Sequence, residues 1–162
     1  MNRLFGLTAL VLVAWGCGSS TSTTMSPING TDGSFLTCAT ETRAQPYQAG
    51  MQVASASGAL IVKLVSSVPG PPVKGTNTWT IEVDAADTGA AVDGVNVVVA
   101  PYMPDHAHGT NPVGVTPAGV VGTYTLMPVY LYMSGYWEVR MTLGGAPVDA
   151  GIDSAMIPIC IP

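Results

Sequence analysis

The sequence predicts an all-β fold, an immunoglobulin-like antiparallel β-sandwich of about seven strands. Three observations carry the prediction. Two segments, 78–84 and 136–143, alternate strictly between apolar and polar residues, as a half-buried strand does. Gly and Pro, at 19 and 13 of 162 residues, punctuate the chain at short intervals. Beyond the N-terminal stretch, no long segment shows the 3.6-residue apolar period of an amphipathic helix.

The elements follow in order. Residues 59–65, an apolar run rich in β-branched side chains, read as a strand stopped by Val68-Pro69-Gly70-Pro71-Pro72. In 78–84, Trp79, Ile81 and Val83 share the inner face, and Thr80, Glu82 and Asp84 are expected on a wet outer face. Val95, Val97 and Val99 alternate through a third strand, which is expected to end at Pro101 for want of a ladder donor. A short edge strand is expected at 113–117, and another strand at 122–126 with Tyr124 and Leu126 inward. In 136–143, Trp137, Val139, Met141 and Leu143 face in while Glu138, Arg140 and Thr142 face out. Residues 155–161 complete the set as an edge strand pinned by Cys160. Trp79 and Trp137 are core anchors, each able to bury ~150–250 Å².

The first residues belong to export rather than to the fold. One positive charge at Arg3, an apolar stretch from Leu4 to Trp15 and a small residue at Gly16 form the pattern of a secretory signal over residues 1–16. The stretch is too short for a bilayer core of ~30 Å, which takes about 20 residues. Cys17 directly after Gly16 resembles the lipidated first residue of a bacterial lipoprotein, although Ala14 and Trp15 depart from the usual residues of such a signal. Lipidation would anchor the chain to a membrane in the cell envelope, facing the periplasm or the exterior; plain cleavage with an unused Cys17 is the alternative. Residues 17–50 read as a Ser/Thr/Gly tether followed by an irregular lead-in, and 51–162 as the sandwich domain. Two cysteines remain, Cys38 and Cys160, and an even pair in an exported chain reads as one disulfide. Two free thiols or a metal-binding pair are the alternatives.

Charge narrows the function. With five Lys and Arg and a net charge of −5, no phosphate-binding surface for nucleic acid is expected. Charged residues make 9% of the chain, well below the ~25% of ordinary soluble domains. No serine elbow and no glycine-rich phosphate loop occurs, and Asp105 beside His106 lacks a positioned nucleophile, so no enzyme is expected.

The chemistry concentrates in Tyr102-Met103-Pro104-Asp105-His106-Ala107-His108-Gly109, which holds both histidines of the chain. In extended backbone, residues two apart point the same way, so His106 and His108 can converge. Met103 lies just upstream, and Met133 follows in Tyr130-Leu131-Tyr132-Met133-Ser134-Gly135. Thioether sulfur with imidazole selects Cu(I), whereas Zn(II) prefers further His, Cys or carboxylate ligands. Met103, His106, His108 and Met133 are therefore a coherent copper set. The plain alternative makes Met103 a packing residue and the histidines polar loop residues. That alternative describes a non-catalytic interaction module of an envelope complex, without metal.

From 71 to 143 the chain resembles the YtkA-like domain of bacterial exported proteins, related to the FixH group. The resemblance rests on Lys74-Gly75-Thr76-Asn77-Thr78-Trp79, on Val92-Asp93-Gly94, and most specifically on the Met103-Pro104-x-His106-x-His108-Gly109 piece. Gly122-Thr123-Tyr124 and Met133-Ser134-Gly135-Tyr136-Trp137-Glu138-Val139 complete it. It implies an immunoglobulin-like sandwich, an exported and often lipidated protein without catalysis, and copper handling. The recurrent Met, His, His and later Met of the family fall on Met103, His106, His108 and Met133.

Overall fold

The computed structural model describes residues 37–145 and 151–162. The signal at 1–16, Cys17 and the tether up to residue 36 lie outside the described residues. Among the described residues nine strands are formed: β1 (Met51–Ala54), β2 (Leu60–Val68), β3 (Gly75–Ala85), β4 (Asn96–Met103), β5 (His108–Gly109), β6 (Gly114–Pro117), β7 (Thr123–Leu131), β8 (Gly135–Gly144) and β9 (Ile152–Ile161). They build two antiparallel sheets in the orders β1-β2-β3-β7-β6 and β5-β4-β8-β9. The expected sandwich is present, with β1 and β5 as the two strands beyond the expected seven. Both are short, at four and two residues, too brief to leave a periodic signal.

The inner faces follow the alternation. Trp79, Ile81 and Val83 of β3 face Trp137, Val139, Met141 and Leu143 of β8 within one continuous core, and both tryptophans are 0% exposed. Tyr124 and Leu126 are buried as expected, and β6 and β9 lie at sheet edges.

Two local expectations are corrected. Asp84 is buried rather than wet, because Lys63 on the neighbouring strand meets its Oδ2 at 3.0 Å and an isolated bridge to Ala91 covers it. Pro101 does not end its strand, since β4 continues to Met103. The Pro101 carbonyl accepts from the Thr110 N–H, away from β8. A residue's N–H and C=O point to the same side of a strand, so the missing donor faces the side where the ladder is only two residues of β5 long.

The segment before β1 is irregular, as expected, but well fastened. Cys38 and Cys160 form a disulfide. The Gln45 N–H donates to the Pro158 carbonyl on β9, and the Tyr47 hydroxyl accepts from the Ser67 N–H. A disulfide closing a chain separation of 122 residues stabilises by ~2–4 kcal/mol in typical cases.

Candidate metal centre

The Met/His segment is a tight hairpin rather than an extended loop. β4 and β5 pair so that Met103 stands directly opposite His108, and Tyr102 opposite Gly109. Opposed residues point to the same face, with Cβ atoms ~4.5–5.5 Å apart. Between them, Pro104–His106 makes a 3-10 turn that Pro104 favours at its first position. Ala107 closes the turn in the left-handed region, at φ 54° and ψ 36°. For a residue with a Cβ this conformation costs about 1–2 kcal/mol. Glycine follows for a spatial reason: a Cβ on Gly109 would come within 2.9 Å of the Pro101 carbonyl oxygen.

The two imidazoles therefore meet, though by a different route from the one expected. Extended backbone would have aligned them; the 3-10 turn followed by left-handed Ala107 does so instead. Their ring centroids lie 5.6 Å apart at an angle of 41°. His106 is exposed and His108 half-buried. Met103 is 2% exposed and packs in the core. Its Cε lies against Gly135, where a Cβ would sit only 2.7 Å away. Met133, half-buried, packs against the same core. Met103, His106 and Met133 line one cavity of about 1070 Å³, with Tyr132, Tyr136 and Ile161 among its walls. His108 is not among the lining residues; it stands beside the cavity, stacked on Tyr132.

Several residues that hold this arrangement carry no local sequence signal. The Tyr132 hydroxyl lies 2.8 Å from His108 Nδ1 and 3.2 Å from Nε2, with the two rings stacked at 5.2 Å. The Trp137 indole N–H donates to the Met133 carbonyl at 2.9 Å, fixing the backbone of the later methionine. Arg43 grips Asp105 with two hydrogen bonds of 2.7 Å, binds Glu41 through Nε and Nη2, and lies 4.2 Å over the Tyr136 ring. The hydrogen bonds from Arg43 hold the Asp105 and Glu41 carboxyls below their usual range, and the guanidinium rises in turn. Trp137 reaches a partner only four residues back, whereas the Tyr132 partner, His108, is 24 residues away and comes close only once the β7–β8 connection meets the hairpin. Arg43 lies 62 residues from Asp105, beyond any local pattern.

The donor set decides which ion would fit. Among the described residues no three His, Cys, Asp or Glu side chains gather into a metal-binding group. Asp105, the nearest carboxylate, is engaged by Arg43. Apart from the Tyr132 hydroxyl, which is engaged with His108, the donors near the histidine pair are the thioethers of Met103 and Met133, a soft pair that suits a soft cation.

A two-sheet antiparallel sandwich presenting a Met/His hairpin beside a cavity is the class of protein defined here. The model of the YtkA-like family matches residues 55–142, more than half of the chain, and the chain belongs to that family. No curated protein and no solved structure matches it.

Proposed function

We propose that this chain is an exported, lipid-anchored copper-binding module of the bacterial cell envelope, holding Cu(I) for buffering or delivery and catalysing no reaction. His106 and His108 would be the nitrogen ligands, with Met133 and Met103 supplying thioether sulfur; the anchor would be Cys17. The observation that carries the reading is the convergence of both histidines of the chain, 5.6 Å apart, next to two methionines on one cavity. The strained Ala107 between them supports it, since backbone strain collects where function requires a fixed geometry. An exposed His106 on a hairpin suits exchange, because an incoming donor can reach the ion from solvent.

Cu(I) titration under anaerobic conditions against a chromogenic chelator tests the proposal. One equivalent is expected to bind, and the His106→Ala/His108→Ala double variant should lose roughly a hundredfold or more in affinity, beyond the ~10–100-fold typical of changes outside the ligand shell. Equal affinity in the double variant would overturn it.

A metal-free docking role on an envelope partner is the second reading. Val120 and Val121, exposed at 69% and 54% on the turn before β7, favour it. Retention of an envelope partner by the histidine double variant, and its loss in Val120→Ser/Val121→Ser, would support that role.

A further inference from the structure

We propose that Arg43 is a specificity-determining residue of the metal centre: it closes on both oxygens of Asp105, withdraws the carboxylate beside the histidine pair, and leaves a donor set that suits Zn(II) poorly. The inference rests on the copper reading for the ion that is favoured, but not for its geometry or for the ion that is excluded. Asp105-His106-Ala107-His108 puts a carboxylate and two imidazoles within one hairpin turn. Two histidines and a carboxylate are a common protein ligand set for zinc, with a further position left open. Among the described residues these three side chains nevertheless do not gather into a metal-binding group. The geometry gives the cause. Arg43 Nη1 donates to Asp105 Oδ1 and Nη2 to Oδ2, each at 2.7 Å. Arginine is always charged and only donates, so the roles in this fork are fixed. The Asp105 side chain is 42% exposed, so the guanidinium, and not burial, keeps a cation from it.

The fork is itself held in place. Arg43 Nε and Nη2 donate to the two oxygens of Glu41 at 2.9 and 2.6 Å, and the Glu41 side chain is only 2% exposed. The Tyr136 ring lies under the guanidinium, 4.2 Å from its centre. On either side of Arg43 the chain is tied to β9, by the disulfide from Cys38 to Cys160 and by the Gln45 N–H on the Pro158 carbonyl. An exposed ion pair alone is loosely held, but a bidentate arginine within a network is the exception. A cation that takes Asp105 must first displace this fork. One that binds through imidazole and thioether leaves it intact. Lysine at position 43 would keep the charge but could not close on both oxygens together.

The test looks for a gain of binding, which the loss of a merely structural contact would not give. Zn(II) affinity, and Cu(I) affinity without oxygen, are measured by chelator competition for the wild type, Arg43→Met, Asp105→Asn and the double variant. Arg43→Met should bind Zn(II) ~10–100-fold more tightly than the wild type, the range for changes just outside a ligand shell. Its Cu(I) affinity should change far less, and the double variant should lose the zinc gain. Infrared difference spectra on adding Zn(II) should show a carboxylate stretch moving in Arg43→Met and none moving in the double variant, which separates ligation by Asp105 from a change in local charge. Unchanged or weaker Zn(II) binding in Arg43→Met would overturn the proposal, as would a gain that survives Asp105→Asn or leaves the carboxylate stretch still. If Arg43→Met does not fold, Arg43→Lys decides: a smaller gain of the same sign supports the proposal, and no gain overturns it. A zinc gain in a protein whose wild type binds no Cu(I) would overturn the copper reading and leave the exclusion by Arg43 standing. Cu(I) binding by the wild type without a zinc gain in the variant would do the reverse.

Discussion

Two pairs of buried side chains, one in each sheet of the sandwich, have their polar atoms handled in opposite ways. On β3, in the five-stranded sheet, Trp79 Nε1 and Asp84 Oδ1 are buried without a hydrogen-bond partner among the described residues. On β8 and β9, in the four-stranded sheet, the equivalent atoms are satisfied. Trp137 Nε1–H donates to the Met133 carbonyl, and Asp153 accepts from the Ser57 N–H and hydroxyl and from the Ser154 N–H. An unmade buried hydrogen bond costs ~1–3 kcal/mol, so β3 gives up stability that β8 and β9 keep. The satisfied groups are also those that fix loops, the Met133 turn in one case and the β1–β2 connection in the other. Trp79 contributes volume alone. Trp137 contributes volume and also sets the backbone of a candidate ligand.

The largest effects should ignore this difference. Trp79→Ala and Trp137→Ala each remove a fully buried ring, and each is expected to cost about 3–5 kcal/mol in urea unfolding. Losses of the same order are the expected result, with Trp137→Ala the larger by no more than about 1 kcal/mol, because volume dominates the change. A much smaller loss for Trp79 would mean that its unpartnered N–H already offsets most of what its ring contributes.

The next effect in size separates the regions by pH. Burial acts to raise the Asp153 pKa, but hydrogen bonds from Ser55 and Ser57 and from the Ser154 and Ser57 backbone outweigh it and hold the carboxyl at about 2. A folded-state pKa below the unfolded one gives stability that is present above the unfolded value of 3.8. It is lost as pH falls from there through about 2. The contribution at neutral pH is about 2 kcal/mol. Asp153→Asn should therefore lower stability by about that amount at pH 7 and by progressively less toward pH 2, as measured by denaturant midpoints across the series. A constant difference at all pH values would show that Asp153 acts through shape rather than charge.

How far the chain could be read in advance follows the same division between local and distant causes. Alternation at 78–84 and 136–143 gave the inner faces correctly, because period-two patterning depends only on neighbouring residues. Three of the four candidate ligands, Met103, His106 and His108, could be named from one short motif, and Met133 from a second segment. Their geometry could not, since alanine gives no hint of the left-handed conformation that Ala107 adopts, where Gly or Asn would have announced it. Asn77 is another example. Its fully buried amide accepts from the Val73 N–H and donates to the Val73 and Gly75 carbonyls, fastening the turn before β3. In the sequence it stands as one polar residue among threonines. Tyr132 and Arg43 were silent because their partners, His108 and Asp105, come close only after the sheets assemble.

The finest test exchanges each tryptophan for phenylalanine, which keeps most of the ring and removes the N–H. Trp79→Phe deletes a donor that has no partner among the described residues, so part of the lost volume is offset by relief of a desolvated N–H. Trp137→Phe deletes a made hydrogen bond and leaves the Met133 carbonyl without its donor. The second variant should therefore be the less stable by about 1 kcal/mol, the net worth of one such bond. Amide shifts at Met133 and Ser134 should move in Trp137→Phe and stay fixed in Trp79→Phe. Under the copper proposal, Cu(I) affinity should fall by a few-fold in Trp137→Phe alone, because only that tryptophan fixes the backbone of a proposed thioether ligand, Met133. Equal stability and unmoved Met133 shifts would mean that Trp137, like Trp79, contributes only its volume.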